Sequence, residues 1–374
     1  MVPKTHLAGC GFGTTPALRA TPPDSGGDSS FSQNHHCHPS HQLELQIEFQ
    51  IGTLVAIMRT KLFVLLIVAS GFGAAQLLLA QQADHIWTVA ELFQRNIGTQ
   101  AQQRTQFPPH RIIGNLYYVG TESLSSFVVD TPEGAILIDS TYEANVPVIQ
   151  DSMSRLGLKF GNIKIVVGSH AHGDHQEADA MIAEMTGARA MALAEDIPDL
   201  QRMRTPSGKT RPAYQVLHDG DEVKLGGMTL VAHLTPGHTR GCTTWTMKVQ
   251  ENGETHNVVI IGSMGVNTGT RLWANGALTP IGEEYVRGFK AMHVLSGDVP
   301  LGSHPAMHGL VEKYKKLSGS GFSLTPGTIY VPNPYIDPKG YLVELNIEET
   351  AFNMELENQK KAAATPAAPA PVAR

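Results

Sequence analysis

The stretch Ile163-Lys164-Ile165-Val166-Val167, followed after Gly168 by Ser169-His170-Ala171-His172-Gly173-Asp174-His175, decides how this chain is read. The first five residues are a β-branched run of the kind found in strands buried on both faces. The next seven hold four potential metal ligands on what reads as a strand-to-helix turn. Buried without partners, such side chains would cost several kcal/mol each, so pairing or a metal ion is implied. Gly173 is expected to let the backbone fold tightly, with His170 and His172 meeting one ion while Asp174 and His175 turn toward a second.

The segments around this turn have the texture of an α/β domain. Residues 116–119, 126–129 and Gly134–Ile138 are short apolar runs broken by turn residues such as Thr131-Pro132-Glu133-Gly134. Ile149, Met153 and Leu156 give a helical period ended by Gly157, and Met181, Ile182 and Met185 another ended by Gly187. Residues 223–225, Gly226-Gly227 and Met228–Leu234 read as a hairpin. Residues 257–261 read as a strand, and Tyr285, Phe289 and Met292 as a helical stripe facing the core.

Composition sets the limits. The 374 residues are 41% hydrophobic and 17% charged, enough to form a sizeable core. The net charge of −6 gives no electrostatic footprint for nucleic acid. Three cysteines, Cys10, Cys37 and Cys242, are too few for a disulfide framework or a thiolate cluster, whereas 17 histidines invite a search for ligand spacing. Cys242 reads as a small buried residue. His218, His233, His256, His293 and His308 read as surface or packing residues. His35, His36, His38 and His41 around Cys37 read as unstructured sequence.

Four regions are expected along the chain. Residues 1–57 read as a non-globular extension. Met58-Arg59-Thr60-Lys61 and the apolar run after it read as a secretory signal peptide over 58–80, with Met58 as the start and export to the periplasm implied. The competing reading is a membrane anchor, because 62–80 is 19 residues long and a span needs about 20. Residues 81–360 form the globular domain, and 361–374 a disordered Ala/Pro tail.

The ligand turn has the HxHxDH form and resembles the metallo-β-lactamase superfamily. Thr235-Pro236-Gly237-His238-Thr239 is similar to that family's second ligand turn, and Leu301-Gly302-Ser303-His304-Pro305 to its last. The resemblance implies a four-layer αββα sandwich of two mixed sheets with flanking helices. The first two subclasses of these lactamases place a cysteine thiolate in the segment corresponding to 260–265. Here that segment is Ile260-Ile261-Gly262-Ser263-Met264-Gly265, and His175 fills the gap, which resembles the third subclass of class B enzymes.

Carried over, His170, His172 and His238 bind one Zn²⁺, and Asp174, His175 and His304 a second. Hydroxide generated at the two ions would open a small-molecule β-lactam, with Asp174 as the catalytic residue and Ser263 helping to bind the substrate carboxylate. No partner other than substrate is implied once the signal is removed. Another hydrolase of the fold, such as a lactonase, is the alternative. Relatives of the glyoxalase II type carry a bridging Asp nearest to Gly262, which cannot supply one. Two departures bear on substrate range: Gln176-Glu177 replaces a small Ala-Gly pair, and Ser140-Thr141-Tyr142 replaces a glycine-containing turn.

Overall fold

A computed structural model describes residues 85–319 and 333–364. The expected extension, signal peptide and start site, together with Cys10, Cys37 and the N-terminal histidines, lie outside the described residues. No helix among the described residues is long and apolar enough to cross a membrane.

The described residues open with α1 (Val89–Ile97), started by a capping box in which Thr88 and Glu91 satisfy each other's backbone N–H groups. Strands β1 (His110–Ile113), β2 (Leu116–Tyr118), β3 (Phe127–Thr131) and β4 (Gly134–Ile138) follow as an antiparallel meander. Then come α2 (Val146–Arg155), β5 (Ile163–Val167), α3 (Gly173–Gln176), α4 (Asp179–Thr186), β6 (Arg189–Leu193), α5 (Ile197–Arg202) and β7 (Gln215–Leu217). Strands β4 to β7 run parallel, which completes a seven-stranded sheet in sequential order.

The second sheet has the order β14-β11-β10-β9-β8. It is built from β8 (Glu222–Leu225), β9 (Met228–Leu234), β10 (Thr243–Glu251), β11 (Glu254–Ile261) and β14 (Val299–Gly302). Between β11 and β14 lie a small ribbon, β12 (Trp273–Ala274) with β13 (Ala277–Leu278), and α6 (Pro280–Met292). Helices α7 (Leu310–Gly319) and α8 (Gly340–Ala364) end the described chain.

Three apolar clusters define four layers. Ile136, Ile138, Ile165 and Val167 of the first sheet pack against Leu230, Trp245, Met247 and Ile260 of the second. On the far side of the first sheet, Leu137 and Val166 meet Val146, Ile149 and Met153 of α2 and Ile182 of α4. On the far side of the second, Val259 and Ile261 meet Tyr285, Phe289 and Met292 of α6 with Tyr341, Leu345 and Phe352 of α8. Helices cover both outer faces, so every residue of β4 is buried, and its near-continuous apolar sequence follows from that. The αββα sandwich expected from the sequence is the observed fold.

Several local expectations differ in detail. Met185 is half exposed, so the α4 stripe is carried inward by Ile182. Gly173 is not under backbone demand: its φ is not positive, and a Cβ there would meet only ordinary contacts at 3.6 Å. The turn is made by the extended His172, from which α3 starts. Helix α8 continues to Ala364, into the stretch expected as a tail, because Lys361-Ala362-Ala363-Ala364 are good helix formers.

Candidate metal centre

The site is assembled where strand ends meet. In the first sheet β4, β5 and β6 are parallel, so Asp139, Ser169 and Asp196 leave at the same edge. In the second, β9 and β11 are both antiparallel to β10, and β14 is parallel to β11, so the segments holding His238, Ser263 and His304 also leave at one edge.

The three turns converge. Ligand atoms of His170, His172 and His238 lie within 4.8 Å of one another, and so do those of His170, Asp174 and His175. His304 joins through Asp174, whose Oδ2 is 3.8 Å from its Nε2, and its ring centroid is 4.8 Å from that of His175. All six residues singled out from the sequence therefore share one centre.

Outer partners orient four of the imidazoles. His238 Nδ1 donates to Gly265 O at 2.6 Å, His304 Nδ1 to Ser123 O at 3.0 Å, and His175 Nδ1 to Asp139 Oδ2 at 3.1 Å. Ser169 Oγ donates to Asp139 Oδ2, so it accepts from His170 Nδ1 at 3.1 Å. Each of these rings thereby turns Nε2 toward the centre, and the tautomer is set by the bond on its far side. His172 instead presents Nδ1, 3.1 Å from His238 Nε2.

Burial and neighbouring charge polarise the group. Burial, with the other imidazoles around it, holds His170 well below its ordinary pKa. Burial and His172 take His238 down to about 3, and burial and His175 take His304 to about 4. His175 goes the other way: burial disfavours its charge, but Asp174 and Asp139 outweigh that and raise it to about 10. Burial opposes the charge on Asp174 too, yet His175 and then His304 hold its carboxyl well below the usual range.

The donor set suits zinc. His170 Nε2 is buried without a hydrogen-bond partner, an expensive arrangement that a cation would relieve, while His175 Nε2 meets Asp174 Oδ2 at 3.3 Å. Imidazole and carboxylate in sets of three are the donors of open zinc sites.

A cavity borders the centre, lined by His172, Asp174, His238, His304, Ser263, Asn267 and, from α1, by Phe93, Asn96 and Ile97. Helix α1 is held there by Arg95, which donates to Glu344 of α8, while Asn96 donates to Glu348. The sequence reading missed this wall. It also missed Asp139, Asp196 and Ser123, whose one legible signal is a position just past a strand or in a loop. Cys242 is fully buried and donates to Ser263 O at 3.2 Å, its thiol pushed up by burial, so it stands apart from the centre. His218 and His293 are exposed, His233 pairs with Thr246 Oγ1, and His256 and His308 are buried outside the centre.

The two departures beside the motif are built in. Gln176 is buried against Gly168, where a Cβ would come within 2.1 Å of the Gln176 side chain. Ser140 Oγ donates to Asp179, and Asp139 and Thr141 on either side have positive φ values of 61° and 58°. Such backbone concentrates where surrounding structure over-determines it, here beside the centre.

A family model described as the metallo-β-lactamase superfamily matches residues 119–250. Among solved structures, the native FEZ-1 metallo-β-lactamase from Legionella gormanii is similar at 42% identity and TM-score 0.62, over 69% of this chain and 98% of that one. BJP-1, a subclass B3 metallo-β-lactamase of Bradyrhizobium japonicum, matches at 31% identity and TM-score 0.59, over 70% and 98%. The class B3 di-zinc metallo-β-lactamase LRA-12 from an Alaskan soil metagenome matches at 27% identity and TM-score 0.58, over 69% and 97%. With its ligand turns converged and nearly the whole of each relative spanned, this chain belongs to the metallo-β-lactamase superfamily.

Proposed function

We propose that the chain is a zinc-dependent β-lactam hydrolase of the B3 type. The observation that carries the reading is the convergence of six side chains, without a thiolate, on one centre beside the Ser263 cavity. His170, His172 and His238 would hold one zinc, and Asp174, His175 and His304 a second. Bound zinc supplies Lewis acidity, which makes water a nucleophile near neutral pH and polarises a carbonyl. Asp174 would orient that water through its charge, and Asp139, accepting from His175 Nδ1, would hold His175 with Nε2 turned toward the same set. Ser263 offers a hydroxyl to the substrate carboxylate, and Phe93 and Ile97 present apolar surface to the rest of the molecule.

Position 262 weighs against thioester chemistry through a bridging carboxylate. A Cβ there would sit 2.4 Å from Thr243 O, so only glycine fits. The purified protein is expected to open nitrocefin and a carbapenem in preference to a homoserine lactone, and to hold close to two zinc ions by elemental analysis. Preference for the lactone would overturn the substrate assignment. Full activity with one zinc would overturn the second set.

The proposal includes export. Arg59, Lys61 and the apolar run at 62–80 direct the chain to the periplasm, with cleavage before Gln81. Mass spectrometry of the protein made in a Gram-negative host is expected to find that mature start. Retention of 62–80 in a membrane fraction would show an anchor instead.

A further inference from the structure

We propose that Asp196 is a positioning residue that clasps the turn bearing His170 and His172 to the turn bearing His238, and so sets the spacing of the first histidine set. The inference rests on the reading that these three residues hold a zinc ion.

Asp196 follows β6 at the N-cap position of α5, where an aspartate ordinarily accepts from its own helix. Here its side chain makes no cap bond. The carboxylate, 2% exposed, reaches across to both ligand turns. Its Oδ2 accepts from Ala171 N, between His170 and His172, at 2.8 Å, and from Thr239 Oγ1, next to His238, also at 2.8 Å. Its Oδ1 accepts from Gly241 N at 2.6 Å. One side chain thus satisfies three donors on two turns that lie far apart in sequence.

The sequence around it makes room for this. A Cβ at Gly241 would fall 2.5 Å from Asp196 N and 2.7 Å from Asp196 Cβ, so glycine is what lets the His238 turn approach. With the two turns held, His172 Nδ1 and His238 Nε2 face each other at 3.1 Å. The turn bearing His304 is anchored differently, through Ser125 N donating to Ser303 O and His304 Nδ1 donating to Ser123 O. Asp139 serves His175 and Ser169. The clasp therefore acts on one set of donors and leaves the partners of Asp174, His175 and His304 untouched.

Loss of such an outer partner typically costs about 10–100-fold in metal affinity. Asp196→Asn keeps the shape but replaces one acceptor oxygen with an amide that must face a donor. Zinc affinity is measured by chelator competition on the full-length mature protein, alongside the melting temperature of the zinc-free form and the visible absorption of the cobalt-substituted form.

The expected result is a loss of roughly that size for one of the two ions, with the other retained and an altered cobalt spectrum. Thr239→Val removes one of the three bonds with little change of shape, and is expected to weaken the same ion by less. Should Asp196→Asn fail to fold, the Thr239→Val result decides. A variant that melts earlier yet binds both ions as tightly as the parent would show a purely structural role and overturn the clasp. Absence of zinc binding by the parent would instead overturn the zinc reading itself.

Discussion

Asp174→Asn is expected to lower turnover by about 10²–10⁴-fold, the usual contribution of a positioned acid–base group. That range corresponds to roughly 3–5 kcal/mol of barrier. The substitution keeps the size of a side chain whose Oδ2 is 3.3 Å from His175 Nε2 and 3.8 Å from His304 Nε2, but removes its charge. Under the proposed assignment, the second ion would lose its one anionic donor, and the water that Asp174 would orient would lose its acceptor. Cys242→Ser is the control: the thiol is buried and hydrogen-bonded to Ser263 O, so zinc content and turnover should stay near those of the parent. Steady-state kinetics with nitrocefin and zinc analysis on both variants check the pair. An active Asp174→Asn beside a zinc-depleted Cys242→Ser would mean that the second site is built from the wrong residues.

Trp245→Ala is expected to cost about 3–5 kcal/mol of folding stability, the range for truncating a large aromatic in a packed core. Trp245 lies on β10 between the two sheets and is 1% exposed. Its Nε1 also donates to Gly168 O at 3.1 Å, the residue that leads from β5 into the ligand turn. Removal opens a cavity in the central layer and leaves that carbonyl without its partner, so both terms act in one direction. Denaturant unfolding of the zinc-free protein isolates the effect from metal binding. A loss under about 1 kcal/mol, no more than a single net hydrogen bond, would mean that the sheets reseal around the gap.

Much of the fold was legible because its signals are local. Gly134–Ile138 and Ile163–Val167 occupy the ranges read from their apolar runs, and the hairpin around Gly226-Gly227 forms with its strands antiparallel. Tyr285, Phe289 and Met292 are all buried on α6, as their spacing requires. The ligand turns were legible for a related reason. Metal chemistry concentrates rare donor types at short spacing, and three such turns recur in a recognisable order.

Other features had no such signal. Strands β6 and β10 and helix α8 were not singled out; α8 carries the buried Glu344 and Glu348, whose partners Arg95 and Asn96 are about 250 residues earlier. Burial pushes both carboxyls up, offset by Arg95, and nothing along α8 announces that balance.

The sequence by itself determined the alternation of strands and helices, the HxHxDH turn and the identity of six candidate donors, because each of these is written within a few adjacent residues. Only the tertiary structure decided which nitrogen each imidazole turns inward, that Asp139 and Asp196 stand behind the donors, and that α1 walls the cavity. Those outcomes depend on hydrogen bonds and burial between segments that meet only when the two sheets pack together, and no pattern local to one segment can encode a distance to another.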